Sequence, residues 1–120
     1  MTEPSPEELE CVEVVITAES AEWLADFTRQ LVDDRLAAAG HNFPMRTIYR
    51  WKGTVYDERK ARVGLHTRAA LVPTIVERTD RDHADDVPCV IALPIVNGNF
   101  QYLQWIYAET VDPTVGRTGA

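Results

Sequence analysis

The chain predicts an α+β fold, a ferredoxin-like split βαβ sandwich with the order βαββαβ plus a short C-terminal helix, its strands in one antiparallel sheet. Trp23, Phe27 and Leu31 recur at i, i+4 and i+8, the spacing of one helical face. Ala61, Val63 and Leu65 alternate with Arg62, Gly64 and His66, the period-two pattern of a half-buried strand. Short apolar runs and turn-forming residues around these give the order strand, helix, strand, strand, helix, strand, short helix.

The first strand is Glu13-Val14-Val15-Ile16-Thr17-Ala18, a β-branched run suited to burial. Ser20 then stands as a helix N-cap, with Glu22 in the first turn where the helix dipole favours a carboxylate. The spacing predicts a helix of roughly 16–19 residues. Leu24 and Leu36 lie beside its apolar stripe, Arg29, Gln30, Asp33 and Asp34 fill the other face, and Gly40 reads as its stop signal. Thr47-Ile48-Tyr49-Arg50-Trp51 is the second strand, and Lys52-Gly53 a turn or bulge. Val55-Tyr56 and Ala61–His66 complete a long hairpin, with Asp57-Glu58-Arg59-Lys60 as a charged segment of it. Thr67 is expected to cap a second helix running to about Thr79, with Leu71, Ile75 and Val76 inward. Pro73 restricts that helix: either it starts near Val72 or its opening turn is irregular. Cys89–Pro94 is the last strand, and Asn99 caps a short helix carrying Tyr102, Leu103 and Ile106.

At 120 residues and 45% hydrophobic content the chain can bury one real core. The domain is expected over 11–110, with the acidic, proline-containing residues 1–10 as a disordered tail and 111–120 as a flexible one. A net charge of −7 argues against a nucleic-acid partner. Two cysteines, Cys11 and Cys89, are too few for a disulfide scaffold and read as reduced thiols. No apolar run reaches the roughly 20 residues of a membrane helix, and the N-terminus has no secretory pattern. The expected location is the cytoplasm, with no membrane partner.

With both main helices on one face of the sheet, the other face needs a cover, and self-association is the simplest one. Tyr49, Trp51, Tyr56, Tyr102 and Trp105 either line a cleft between subunits or pack an interface. Arg50 can hold an anion or pair with a carboxylate across strands. Catalytic signatures are missing: there is no nucleophile elbow, phosphate-binding glycine loop or His-Glu-x-x-His motif. The turn Asn97-Gly98-Asn99 enters a helix and reads most simply as a turn with a cap.

Two blocks go further. Ile48-Tyr49-Arg50-Trp51-Lys52-Gly53 reads "IYRWxG", and Ala92 to Ile106 reads "ALPIxxGNxxYLxWI". Both resemble the CutA family, the divalent-cation-tolerance proteins. Asp34-Arg35-Leu36-Ala37-Ala38 is similar to that family's "ERLAAC" helix end, and Val87-Pro88 with Ile91–Pro94 to its "VPxIIALP". The resemblance spans residues 13–108 and implies a homotrimer whose strands extend between subunits about a three-fold axis. It also implies a non-enzymatic role in divalent-cation tolerance, with copper or another divalent cation held through the family's cysteine and His-Glu region. Here the cysteine position is Ala39, and the loop after it is about one residue short. His83 keeps the histidine, Asp86 stands for the glutamate, and Cys89 takes the next acidic position.

The candidate metal ligands are therefore His83, Asp86 and Cys89. Imidazole, carboxylate and thiolate suit copper or zinc, but their spacing matches no compact motif, and an ordinary loop before a buried strand reads the same residues. His41 and His66 could join a site only where folding or assembly brings them close. Two functions stand: a metal-tolerance trimer, and a signalling or interaction module taking a small metabolite or partner protein in inter-subunit clefts. An enzyme of acylphosphatase type fits poorly, because the loop Ala18–Glu22 is acidic where a basic phosphate loop is wanted.

Overall fold

The computed structural model describes residues 9–114. In chain order it holds β1 (Cys11–Ala18), α1 (Ala21–Asp33), β2 (Ala39–Trp51), β3 (Thr54–Arg68), a 3₁₀ turn (Ala69–Leu71), α2 (Val72–Asp82), β4 (Val90–Pro94) and α3 (Phe100–Glu109). The strands form one sheet in the order β2-β3-β1-β4, with every neighbouring pair antiparallel. This is the expected α+β split βαβ arrangement.

Alternation sorts the sheet into two faces. Val12, Val14, Ile16 and Ala18 of β1 share one face with Ala61, Val63 and Leu65 of β3, and all are buried under α1 and α2. Leu24, Phe27 and Leu31 of α1, and Leu71 and Ile75 from the α2 side, close this core. On the opposite face α3 covers one end of the sheet, where Leu103 and Ile106 bury against Leu9 and Cys11. The rest of that face carries exposed Phe43, Ile91 and Leu93.

Several elements differ from the sequence expectation. Helix α1 has 13 residues, because the chain turns at Arg35, which takes the left-handed conformation (φ 61°) that Gly40 was expected to supply. Gly40 lies inside β2, where an added Cβ would collide with Cγ2 of Thr28. Strand β2 begins at Ala39 and runs straight through Phe43-Pro44, paired residue by residue with β3. Asp57–Lys60 is likewise strand. Lys52 and Gly53 both have positive φ (48° and 84°), the two-residue turn that suits strand twist. Thr67 caps nothing: it is buried in β3 and its hydroxyl donates to the carbonyl of Leu36 (2.7 Å). Helix α2 starts at Val72 with Pro73 in its first turn, one of the two expected solutions. Ordered contacts reach Leu9, which is buried, and Val111, whose N–H donates to the carbonyl of Arg35 (2.9 Å), slightly past the expected 11–110 bounds. Residues 1–8 and 115–120 of the two expected tails lie outside the described residues.

Candidate functional site

Strand β1 pairs with β3 only as far as Ala18 opposite Ala61, so residues 54–60 of β3 have β2 alone beside them. This overhanging arm and the loop between α2 and β4 bound a groove of about 620 Å³. Period-two alternation sends Met45, Thr47, Tyr49 and Trp51 of β2, with Tyr56, Glu58 and Lys60 of β3, to the groove side. Tyr49 and Tyr56 stack with ring centroids 5.3 Å apart. The Tyr49 hydroxyl donates to a Glu58 carboxylate oxygen (3.1 Å), and the Lys60 ammonium lies 4.5 Å from the Tyr49 ring centroid and 4.0 Å from Glu58. Lost hydration and then the neighbouring Glu58 carboxylate push the Tyr49 phenol above its ordinary range. The far wall is Thr17 and Glu19 at the end of β1, with Ala84–Val87 and Cys89 of the loop.

The candidate metal ligands occupy different environments. His83 caps α2 and its imidazole is engaged on both nitrogens: Nε2 lies 2.8 Å from the carbonyl of Thr17 and Nδ1 lies 3.0 Å from the N–H of Asp85. A proton on Nε2 satisfies both contacts. The ring also packs edge-on against Trp23 (5.1 Å). Asp86 and Cys89 are exposed on the groove rim. Among the described residues no three His, Cys, Asp or Glu side chains converge to hold a metal ion.

The candidate cleft residues and Arg50 fall in three places. Tyr49, Trp51 and Tyr56 line the groove. Arg50 is exposed on the opposite side of the arm, across from Val55, and the cross-strand ion pair there is made instead by Arg46 with Asp57 (2.6 Å). Tyr102 and Trp105, stacked at 5.5 Å, stand at the α3 end of the sheet. Tyr102 belongs to a second polar cluster. Its hydroxyl is 2.5 Å from Nδ1 of His66, whose Nε2 is 2.9 Å from a Glu13 carboxylate oxygen. The His41 ring lies 4.8 Å from the His66 ring, so both histidines belong to this second cluster and neither lines the groove that holds Asp86 and Cys89. The groove position on β3 nearest the cluster, Lys60, is six residues from His66, about 20 Å at strand rise, so groove and cluster are distinct places on one sheet face.

Sequence reasoning missed Glu13, Glu19, Glu58 and Lys60. The signal available for the last two was alternation through residues 54–60, which becomes readable once Lys52-Gly53 is taken as a two-residue turn.

No helix among the described residues is long and apolar enough to cross a membrane. The family model described as CutA1 divalent ion tolerance protein matches residues 12–109. The chain is 36% identical over 98 residues to the divalent-cation tolerance protein CutA of Thermus thermophilus, covering 81% of this chain and 95% of that one. It is 35% identical to human protein CutA over 79% of this chain, but spans only 54% of the human protein. Among solved structures, CutA1 of Oryza sativa superposes with a TM-score of 0.82 at 30% identity, over 86% of this chain and 95% of that one. The Archaeoglobus fulgidus relative, named as a periplasmic divalent cation tolerance protein, superposes at 0.80 with 25% identity over 82% and 97%. A family match across nearly all the described residues, joined to the same fold, makes this chain a member of the CutA1 divalent-ion tolerance family.

Proposed function

We propose that the chain is a non-enzymatic homotrimer serving divalent-cation tolerance in the cytoplasm, with its hairpin arm and open sheet face covered by copies of itself. The observation that carries self-association is the arm. A two-stranded ribbon is marginal in water on its own. This one exposes Ile48 and Val55 on one side and Trp51 and Tyr56 on the other. Residues 54–60 of β3 also leave one strand edge free for pairing. Closed symmetry hides such surfaces most simply, and three copies is the number the family resemblance implies.

In this reading metal contact is weak and runs through the Asp86 carboxylate and Cys89 thiol on the groove rim, a pair suited to copper or zinc. His83, already bonded to Thr17 and Asp85, holds the loop rather than the metal. Light scattering is expected to give three times the 13.5 kDa chain mass, and Trp51→Asp to shift it to one. A cooperatively folded wild-type monomer refutes the assembly. In copper calorimetry, His83→Ala is expected to bind as wild type does, whereas Asp86→Asn with Cys89→Ser loses most of the heat. Equal binding by all three removes this metal site. A second reading, a module binding a small molecule, is favoured by the groove, whose volume is within the usual range for ligand sites.

A further inference from the structure

We infer that Asn97-Gly98, in the loop between β4 and α3, is a self-modifying site, at which the chain's own backbone converts the Asn97 amide to aspartate and isoaspartate. Neither metal binding nor the number of copies in the assembly enters into it.

Geometry favours the reaction. Both residues are exposed and belong to no helix or strand. The Gly98 N–H donates to Oδ1 of Asn97 (2.9 Å), so the side chain is folded back along its own peptide. The amide carbon Cγ, one bond from that oxygen, is thereby held beside the Gly98 nitrogen, near the arrangement from which the two react. Glycine sets no Cβ beside that nitrogen and leaves the backbone free to complete the approach. Hydroxide takes the proton of the Gly98 N–H, and the nitrogen attacks Cγ. The new N–Cγ bond closes a succinimide ring, while the Cγ–Nδ2 bond breaks and Nδ2 leaves as ammonia, protonated by water. Water then opens the ring at Cγ, giving aspartate, or at the main-chain carbonyl carbon, giving isoaspartate. The sum is hydrolysis of one amide, with no oxidant, reductant or cofactor.

Contrast within the chain makes the site selective. There are three asparagines, at 42, 97 and 99. Asn42 lies in β2 opposite Val63, its Nδ2 donates to Oγ1 of Thr28 (3.2 Å), and Phe43 follows it. Asn99 is followed by Phe100, the first residue of α3. Asn97 alone of the three has glycine after it. Its loop follows Pro94, which pairs with Val12, at the end of the sheet remote from the arm that outruns Ala18 and Ala61.

Modification there acts on the anchoring of α3. The Ile95 N–H donates to the Cys11 carbonyl (3.0 Å), and the Asn99 carbonyl accepts from Tyr102 and Leu103. Residues 96–98 alone join these two anchors. Isoaspartate adds one carbon to the main chain between them. Both products add a carboxylate just before α3, whose first turn has no acidic residue and whose Asn99 side chain makes no cap bond. The charge suits the positive end of the helix, whereas the longer main chain shifts its start. Leu103 is buried beside Cys11, whose thiol donates to the Leu103 carbonyl (3.8 Å), so Cys11 reports that shift.

The test is timed incubation of the full-length protein, as it assembles in solution, at neutral and mildly alkaline pH. Peptide mass spectrometry with fragmentation that separates aspartate from isoaspartate follows the product. Conversion at Asn97 is expected to be first order, independent of protein concentration and faster at higher pH, while Asn42 and Asn99 stay amides. Gly98→Ala should slow it about tenfold, since a methyl group restricts the backbone and shields the nitrogen. A Cβ there comes no nearer than 3.6 Å to Leu103, an ordinary contact, so this variant keeps the fold. The isoaspartyl fraction should alkylate at Cys11 faster than fresh protein. Asn97→Asp, which carries the charge without the added carbon, should not. An Asn97 amide that persists, or a Gly98→Ala chain that converts at the wild-type rate, overturns the site. Equal Cys11 alkylation in isoaspartyl and fresh protein overturns the link to α3.

Discussion

Gly64 decides whether the polar cluster under α3 can form. It sits opposite Val15, two residues along β3 from His66, which is itself the cross-strand partner of Glu13, and the Glu13 carboxyl group leans over it while bonded to the imidazole. A Cβ at this position would stand 2.9 Å from Cδ and Oε1 of Glu13. The objection to a larger residue is therefore space and not backbone conformation. Gly64→Ala is expected to cost about 1–3 kcal/mol of unfolding free energy in a denaturant titration, the usual scale of local overpacking. A loss under about 0.5 kcal/mol would mean that Glu13 moves aside freely. Local residues of another kind were legible from sequence alone. Ser20 caps α1 as expected, its hydroxyl accepting from the N–H of Trp23 (3.1 Å). A cap speaks to residues three positions away, whereas the roles of Gly64 and Gly40 depend on partners 51 and 12 positions distant, Glu13 and Thr28.

At the scale of elements, α3 is fastened by a small buried cluster and by polar groups that titrate at high pH. Burial pushes the Cys11 thiol up, partly countered by Arg68, and burial likewise raises the phenols of Tyr102 and Tyr107. Each group is neutral when protonated, and the fold favours that form. The stabilisation is therefore complete below the unfolded values, about 8.5 for a thiol and 10 for a phenol, and is lost as pH rises through the raised folded values. Hydrogen exchange over 100–109 is expected to accelerate selectively above about pH 9, before β1 and β3 respond. Simultaneous loosening of the whole sheet would contradict this. Asp57 and Asp82 shift the opposite way, held low by Arg46 and Arg81, but both are solvent-facing and add little at acid pH. The type and order of the elements were readable because their apolar periods are strong. The extent of β2 was not. Gly40-His41-Asn42-Phe43-Pro44 carries turn-forming residues, and only pairing with the already formed β3 overrides that local preference.

At the scale of the molecule, the chain is too extended to be a finished globule. Its radius of gyration is 15.7 Å, against about 13–14 Å for a compact domain of this length. The longest dimension, 55 Å, reflects the hairpin arm that outruns β1. This is why the Trp51→Asp experiment is decisive: the charge would enter a ring-lined surface on the arm that stays about one-third exposed in the single chain. The aromatic half of the groove was legible in the sequence, since Tyr49, Trp51 and Tyr56 stand out in the hairpin. On the acidic side Asp86 was singled out, but not its meeting with the arm, because Glu19, Asp85 and Asp86 come from the ends of other elements and reach the arm only in three dimensions.

The two thiols of this chain differ in reach. Cys11 is buried, its proton held by the surrounding apolar cluster, while Cys89 is exposed at the groove rim. A maleimide dye or nitroxide should therefore label one position without any engineered cysteine. The native sequence thus carries its own spectroscopic handle beside the aromatic wall, where occupancy and subunit approach can be followed in the unaltered protein.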